Sequence, residues 1–232
     1  MSSTLICIPT YNEAGNIEPI VEAVLDVEPD LHILIIDDDS PDGTGQIADR
    51  LAETDERVFV LHRTEKEGLG RAYIDGFRWA LERDYQCIVE MDADFSHRPC
   101  DLPRLLGAID DYDVVIGSRY VAGGATRNWG LLRRLVSRAG GFYARALLGC
   151  DIRDLTAGFV AWRRQVLEAL DLHDVEASGY VFQVELKYRA HRRGFSILEV
   201  PIIFPDREVG TSKMTPDIAL EALSRLWTIR FK

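Results

Sequence analysis

Short apolar runs alternating with stretches of helical spacing constrain this chain more than any other feature. The runs are Leu5–Pro9, His32–Asp37, Val58–Leu61, Cys87–Met91 and Val114–Gly117. Between them the spacing predicts helices near Asn16–Asp26, Gly43–Thr54, Gly68–Arg83 and Leu102–Asp110. Strands joined through helices read as βαβ units, so they pair in parallel. Cys87-Ile88-Val89-Glu90-Met91 is nearly continuous in apolar residues, as expected for a strand covered on both faces. The expected class is α/β, three layers with a central, mostly parallel sheet.

After Gly117 the rhythm changes. A Gly-rich loop runs from Gly117 to Gly130, and an Arg-studded helix is predicted over Leu131–Leu148. A strand near Gly158–Arg163, a helix near Val181–Arg193 and a strand near Ser196–Val200 follow. A loop holding Pro201, Pro205, Gly210 and Pro216 leads to a last helix over Asp217–Ile229. No repeat, low-complexity tract or linker interrupts the 232 residues, 47% of them hydrophobic, so residues 1–232 read as one domain.

No apolar stretch reaches the roughly 18–20 residues that a bilayer span requires. The start, Met1-Ser2-Ser3-Thr4, leads directly into a strand and does not look like a signal peptide. Cys7, Cys87, Cys100 and Cys150 lie far apart with no metal-type spacing, which points to a reducing compartment and no zinc. The net charge of -11 argues against nucleic acid as a partner. Yet Val114 to Cys150 contains no Asp or Glu, while it carries Arg119, Arg127, Arg133, Arg134, Arg138 and Arg145. Such a block fits an anionic ligand.

The chemistry concentrates where the strands end, because ligands of open α/β sheets bind outside the carboxyl ends of the strands. The first run is followed by Thr10-Tyr11-Asn12-Glu13, the second ends in Asp37-Asp38-Asp39-Ser40, and the fourth leads into Asp92-Ala93-Asp94. Asp92 and Asp94 at i, i+2, with the Ser96 hydroxyl, offer hard oxygen ligands for a divalent cation. An acidic turn capping the next helix is the competing reading. Glu13 and Asp38 are suited to ribose hydroxyls and Tyr11 to stacking on a base. Lys66, just before Gly68-Leu69-Gly70 at a helix start, is a candidate for the phosphates of a nucleotide sugar, with a solvated surface cation as the competing reading.

Several of these segments occur together and in order: Pro9-Thr10-Tyr11-Asn12-Glu13, Asp38-Asp39-Ser40-Pro41-Asp42-Gly43-Thr44, Gly68-Leu69-Gly70, Met91-Asp92-Ala93-Asp94, Gly117-Ser118-Arg119-Tyr120 and Gly179-Tyr180-Val181-Phe182-Gln183. In this the chain resembles the family-2 glycosyltransferases of GT-A fold, a Rossmann-like α/β/α architecture. More narrowly, it resembles their dolichyl- and polyprenyl-phosphate mannosyltransferases. The resemblance implies a nucleotide-sugar-binding half over about 1–117 and an acceptor-side half over about 118–232. It places Pro9, Tyr11, Glu13, Ile36 and Asp38 on the guanosine of GDP-mannose. Asp92, Ala93 and Asp94 match the motif for the nucleotide sugar and its Mg2+ or Mn2+, with Ser96 at a further metal-ligand position. Arg119, Arg207 and Lys213 match residues on the diphosphate or the acceptor phosphate, and Arg133 an acceptor-side arginine. Asp92, Asp94 and Arg119 are thereby the catalytic candidates.

A lipid phosphate acceptor is already an anion at neutral pH, its second pKa being near 6, so it attacks without a general base. A hydroxyl acceptor would need one, and the resemblance puts Glu185 near where relatives with hydroxyl acceptors keep an acid; a structural acid on a helix is the competing reading. A uridine nucleotide with a polyprenyl phosphate, and a polysaccharide synthase acting on a hydroxyl, are the alternative readings. His97 is expected to pack or hydrogen-bond locally rather than bind metal. The 131–148 helix mixes Leu131, Leu135, Val136 and Phe142 with arginines and suits a bilayer surface; core packing with a solvated basic face is the alternative. Peripheral attachment to the cytoplasmic face of a membrane, or a small anchoring subunit, is therefore expected.

Overall fold

Leu5, Ile6, Cys7 and Ile8 are all buried, so both faces of their strand need covering. The computed structural model, which describes residues 3–28, 30–173, 175, 181–205 and 225–231, provides a helical layer on each side. The strands are β1 (Thr4–Thr10), β2 (His32–Asp37), β3 (Val58–His62), β4 (Cys87–Glu90), β5 (Val114–Ser118), β6 (Ala125–Thr126), β7 (Val160–Arg163), β8 (Ile197–Pro201) and β9 (Ile203–Phe204). The helices are α1 (Ile17–Val27), α2 (Thr44–Thr54), α3 (Leu69–Leu81), α4 (Leu102–Ile109), α5 (Leu131–Leu148), α6 (Arg164–Ala169) and α7 (Val181–Arg192).

Seven strands form one sheet in the order β3-β2-β1-β4-β7-β5-β8. Strand β7 runs antiparallel to both neighbours, with Ala161 opposite Val89 on one side and Val115 on the other. The remaining pairs are parallel. Leu5, Cys7, Leu34, Ile36 and Ile88 face a core shared with α3 and α7. Ile6, Ile8, Ile33, Ile35 and Val89 face the opposite core, shared with α1 and α4. Helix α3 lies close to the sheet because Gly76 lacks a side chain: a Cβ there would meet Ile36 Cδ1 at 2.5 Å. Buried residues Ile17, Ile20, Val21 and Val24 give α1 the apolar stripe that seats it.

The strand and helix expectations are met to within a few residues, and α5 ends at Leu148 where Gly149 takes a left-handed φ of 66°. Two expected loops differ. Residues 125–126 and 203–204 pair as a small parallel ladder, with Ala125 N–H donating to Ile202 O at 3.0 Å and Arg127 N–H to Phe204 O at 2.9 Å. Two-residue strands beside Pro201 and Pro205 are too short to show alternation. Helix α6 follows β7 without a break and was also not expected. The terminal stretch 225–231 is helical and buries Leu226 and Ile229; the earlier part of the expected last helix, 217–224, lies outside the described residues.

Candidate active site

Strand β2 lies on one side of β1 and β4 on the other, all three parallel, so the strand order switches at β1 and the loops beyond these strands open at one edge. Strand β5 ends at the same edge, and β7, being antiparallel, begins there. The four predicted groups after β1, β2, β4 and β5 are therefore brought together.

The β1 and β2 loops are stitched to each other. Asn12 N–H donates to Ser40 Oγ at 3.1 Å, Glu13 N–H to Thr44 Oγ1 at 2.9 Å and Ala14 N–H to Asp42 Oδ2 at 3.1 Å. Asp37 is internal to this frame, accepting from Thr10 Oγ1 at 3.1 Å and Ser40 Oγ at 2.6 Å. Asp38, by contrast, is gripped by Arg63 at 2.5 Å, and Arg63 also reaches Glu67 at 2.6 Å and Asp75 at 2.9 Å. Burial raises the Asp38 carboxyl above its ordinary value, with the Arg63 hydrogen bond opposing. Pro9 and Ile36 pair side by side in register. Lys66 Nζ lies 3.5 Å from the centre of the Tyr11 ring, a cation–π contact. The two residues thus belong to one locus.

The acidic turn follows β4. Three strand-end residues adopt positive φ without being glycine: Asn12 (61°), Asp39 (54°) and Phe95 (59°). Asn and Asp tolerate this region, but for Phe95 it is strained by roughly 1–2 kcal/mol. The strain buys a tight turn in which Ser96 N–H donates to Asp94 Oδ1 at 3.1 Å and the Ser96 side chain is buried. Tyr73 Oη lies 3.5 Å from Asp92 Oδ1, and burial together with the Asp92 charge raises the phenol well above its usual range. The Asp92 backbone N–H donates to His97 Nδ1 at 3.0 Å. That nitrogen is an acceptor, so the ring is neutral, and burial lowers its pKa accordingly. Its 3.9 Å approach to Asp92 Oδ2 is not an ion pair. His97 stacks on Phe159 with centroids 5.0 Å apart, the local packing that its sequence context predicts.

Arg119 stands at the end of β5. Its Nε and Nη2 donate to Asp154 Oδ2 and Oδ1 at 2.8 and 2.6 Å, its backbone N–H to Asp154 Oδ2 at 2.9 Å, and Nη2 also to Thr156 Oγ1 at 2.8 Å. Burial pushes the Asp154 carboxyl up, but the adjacent guanidinium outweighs this and holds it below the ordinary value. Phe204 of β9 and Tyr120 flank the guanidinium, each ring centre 5.3 Å away. Gly124 makes the loop possible, since a Cβ there would sit 2.5 Å from Ser118 O. Asp154, Thr156 and Arg63 are functional neighbours that sequence reasoning missed. The only available signal was the polar Asp154-Leu155-Thr156 just ahead of a strand.

Arg207 and Lys213 lie outside the described residues, and of Arg133 only the helical backbone of α5 is described. Glu185 is buried and ion-paired to Arg189 one turn on, as a structural acid would be.

A family model described as glycosyl transferase family 2 matches residues 5–171. The chain belongs to this family. Two relatives span nearly all of the transferase. One is the polyprenol monophosphomannose synthase of Mycolicibacterium smegmatis, 52% identical over 231 residues, 98% of this chain and 87% of that one. The other is the undecaprenyl-phosphate mannosyltransferase of Micrococcus luteus, 51% identical over 219 residues, 94% of this chain and 90% of that one. Among solved structures, glucosyl-3-phosphoglycerate synthase from Mycobacterium tuberculosis, in complex with Mn2+, UDP-glucose and phosphoglyceric acid, aligns with a TM-score of 0.72 at 20% identity, covering 99% of this chain and 80% of its own. At that identity it shows the shared GT-A fold.

The transferase has a donor set that suits a divalent cation completed by substrate. Among the described residues no cluster of three or more Asp, Glu, His or Cys forms a protein cage. The two carboxylates of the turn stand beside the buried Ser96 Oγ, which has no hydrogen-bond partner among the described residues. Mg2+ is commonly held in this way, by one or two carboxylates plus phosphate oxygens and water.

Proposed function

We propose that the transferase moves mannose from GDP-mannose to the phosphate of a dolichyl or polyprenyl monophosphate, with inversion at the anomeric carbon. The observation that carries this reading is the similarity, over nearly the whole chain, to two enzymes named for mannosyl transfer to or synthesis on a polyprenyl phosphate. Pro9, Tyr11, Glu13, Ile36, Asp38 and Lys66 would take the nucleoside, and Asp92, Ala93, Asp94 and Ser96 the diphosphate with Mg2+ or Mn2+. The cation, when bound, neutralises charge developing on the leaving diphosphate. Arg119 adds positive charge at the same edge, fixed in advance by Asp154 and so requiring no reorganisation during reaction. Arg207 and Lys213 are proposed for the diphosphate, and Arg133 with Lys213 and Arg119 for the acceptor phosphate.

The acceptor oxygen is already anionic, so no side chain has to remove a proton. Two contacts support this reading. His97 has its Nδ1 occupied by a backbone N–H, and Glu185 is paired with Arg189, leaving neither placed as a base.

A lipid acceptor brings the protein to a bilayer surface. No helix among the described residues is long and apolar enough to cross one. Helix α5 instead exposes Leu131, Leu135, Val136 and Phe142 beside exposed Arg134 and Arg138, and the 225–231 stretch exposes Trp227 and Phe231. These suit insertion among headgroups, on the cytoplasmic face or against a small anchoring subunit.

The test is the purified chain with labelled GDP-mannose, polyprenyl phosphate and Mg2+ or Mn2+. Lipid-linked mannose that disappears on chelation is expected. Product from UDP-glucose and none from GDP-mannose would overturn the donor assignment.

A further inference from the structure

Beneath the acidic turn lies a buried charged network that the reaction chemistry does not use. Glu90 precedes Asp92 by two residues on β4 and is fully buried. Its Oε1 accepts from Trp162 Nε1 at 2.7 Å and its Oε2 from the Gln183 side-chain amide. Gln183 in turn accepts, at Oε1, from Lys187 Nζ at 2.9 Å. Lys187, also fully buried on α7, donates onward to Leu155 O at 3.1 Å and Ala157 O at 2.5 Å. Those carbonyls flank Thr156 and follow Asp154, the residues that hold Arg119. The path is unbroken from the strand bearing the acidic turn to the loop that fixes the arginine.

Stability alone does not call for such a network, because apolar side chains of similar volume usually serve a core as well as or better than a buried ion pair. What hydrogen-bonded buried charges add is a defined geometry. Here Glu90 and Lys187, bridged by the Gln183 side chain, link β4 to the 154–157 loop ahead of β7, the two segments that carry the acidic turn and the partner of Arg119.

We propose that Glu90, Gln183 and Lys187 are positioning residues that set the separation of the Asp92–Asp94 turn from Arg119. The inference rests on the proposed roles of those three residues, not on the identity of the sugar donor. Loss of the strut loosens the 154–157 loop. Transition-state stabilisation, which depends on charges held in place, then falls more than ground-state binding.

Two variants test this, Lys187→Met and the charge-free double variant Glu90→Gln/Lys187→Met, which leaves no lone buried charge. Leu105→Ala, a core truncation on α4 in the opposite core, serves as the control for destabilisation alone. Turnover is measured with whichever donor and acceptor the unaltered protein uses, so a wrong donor shows in that protein and not in the ratios. The folded double variant is expected to lose at least tenfold in kcat with donor KM within threefold. In the protein alone, without metal or substrate, amides of residues 155–158 are expected to exchange at least tenfold faster while β4 and β7 keep their protection. A folded double variant with kcat within twofold of the unaltered protein overturns the inference. So does an equal kcat loss in Leu105→Ala.

Discussion

Arg119 and Asp154 are both withdrawn from water, with side chains 9% and 0% exposed, so each depends on the other. Removing one charge of a buried pair typically costs about 3–5 kcal/mol. Asp154→Asn keeps the shape and loses the charge. At about 2–4 °C per kcal/mol for a chain of this size, its Tm is expected to fall by roughly 6–20 °C at neutral pH. The sign of the pH dependence follows from the lowered Asp154 carboxyl. Its contribution is complete above the unfolded value near 3.8 and is lost as pH falls through the lower folded value. Melting curves of the two proteins should therefore stay equally separated from pH 8 to 5 and converge below about pH 4. A separation unchanged at pH 3 would show that the carboxylate charge is not what holds the loop.

Among the elements, α5 combines an exposed apolar row with arginines. It is joined to the site through Tyr120 Oη and Ser137 Oγ, 2.6 Å apart, and to the 225–231 helix through Trp227 Nε1 donating to Tyr143 Oη at 2.9 Å. Burying a Leu or Phe side chain contributes about 1.5–3 kcal/mol. Leu135→Asp/Phe142→Asp is thus expected to weaken partition onto anionic vesicles at least tenfold, read by flotation, while transfer to a short, water-soluble polyprenyl phosphate stays within twofold. Undiminished flotation would remove α5 from the membrane surface. The extent of α5 was legible in the sequence because the Gly-rich loop ends at Gly130 and an Arg-studded helical pattern follows it, as the apolar runs marked each long strand. The place of Asp92, Asp94 and Asp38 just beyond strand ends was legible because the apolar runs stop immediately before them. What holds those residues was not. Asp154 lies 35 positions from Arg119, and Arg63 lies 25 from Asp38. Pairing at such separations has no local periodicity to betray it. The 125–126 and 203–204 ladder was hidden for a related reason, since its two-residue partners lie in loops far apart in sequence.

At the scale of the molecule, the backward strand β7 has a consequence for how the protein comes into being. Strand β5 is made before β7 yet is not a neighbour of β4; only residues 160–163 fill the space between them. While a nascent chain lacks them, β4 presents an open row of unpaired backbone groups, the kind of edge that recruits other chains. A chain stopped at residue 150 is accordingly expected to aggregate or to be digested rapidly under limited proteolysis, whereas one ending beyond α7 is protected. Equal protease resistance of the two would refute this order of events. The strand that seals the edge also begins just after the 154–157 loop and delivers it beside the acidic turn. Closure of the sheet and arrival of Asp154 therefore belong to one stretch of chain, and the arginine made with β5 waits for its carboxylate until β7 follows.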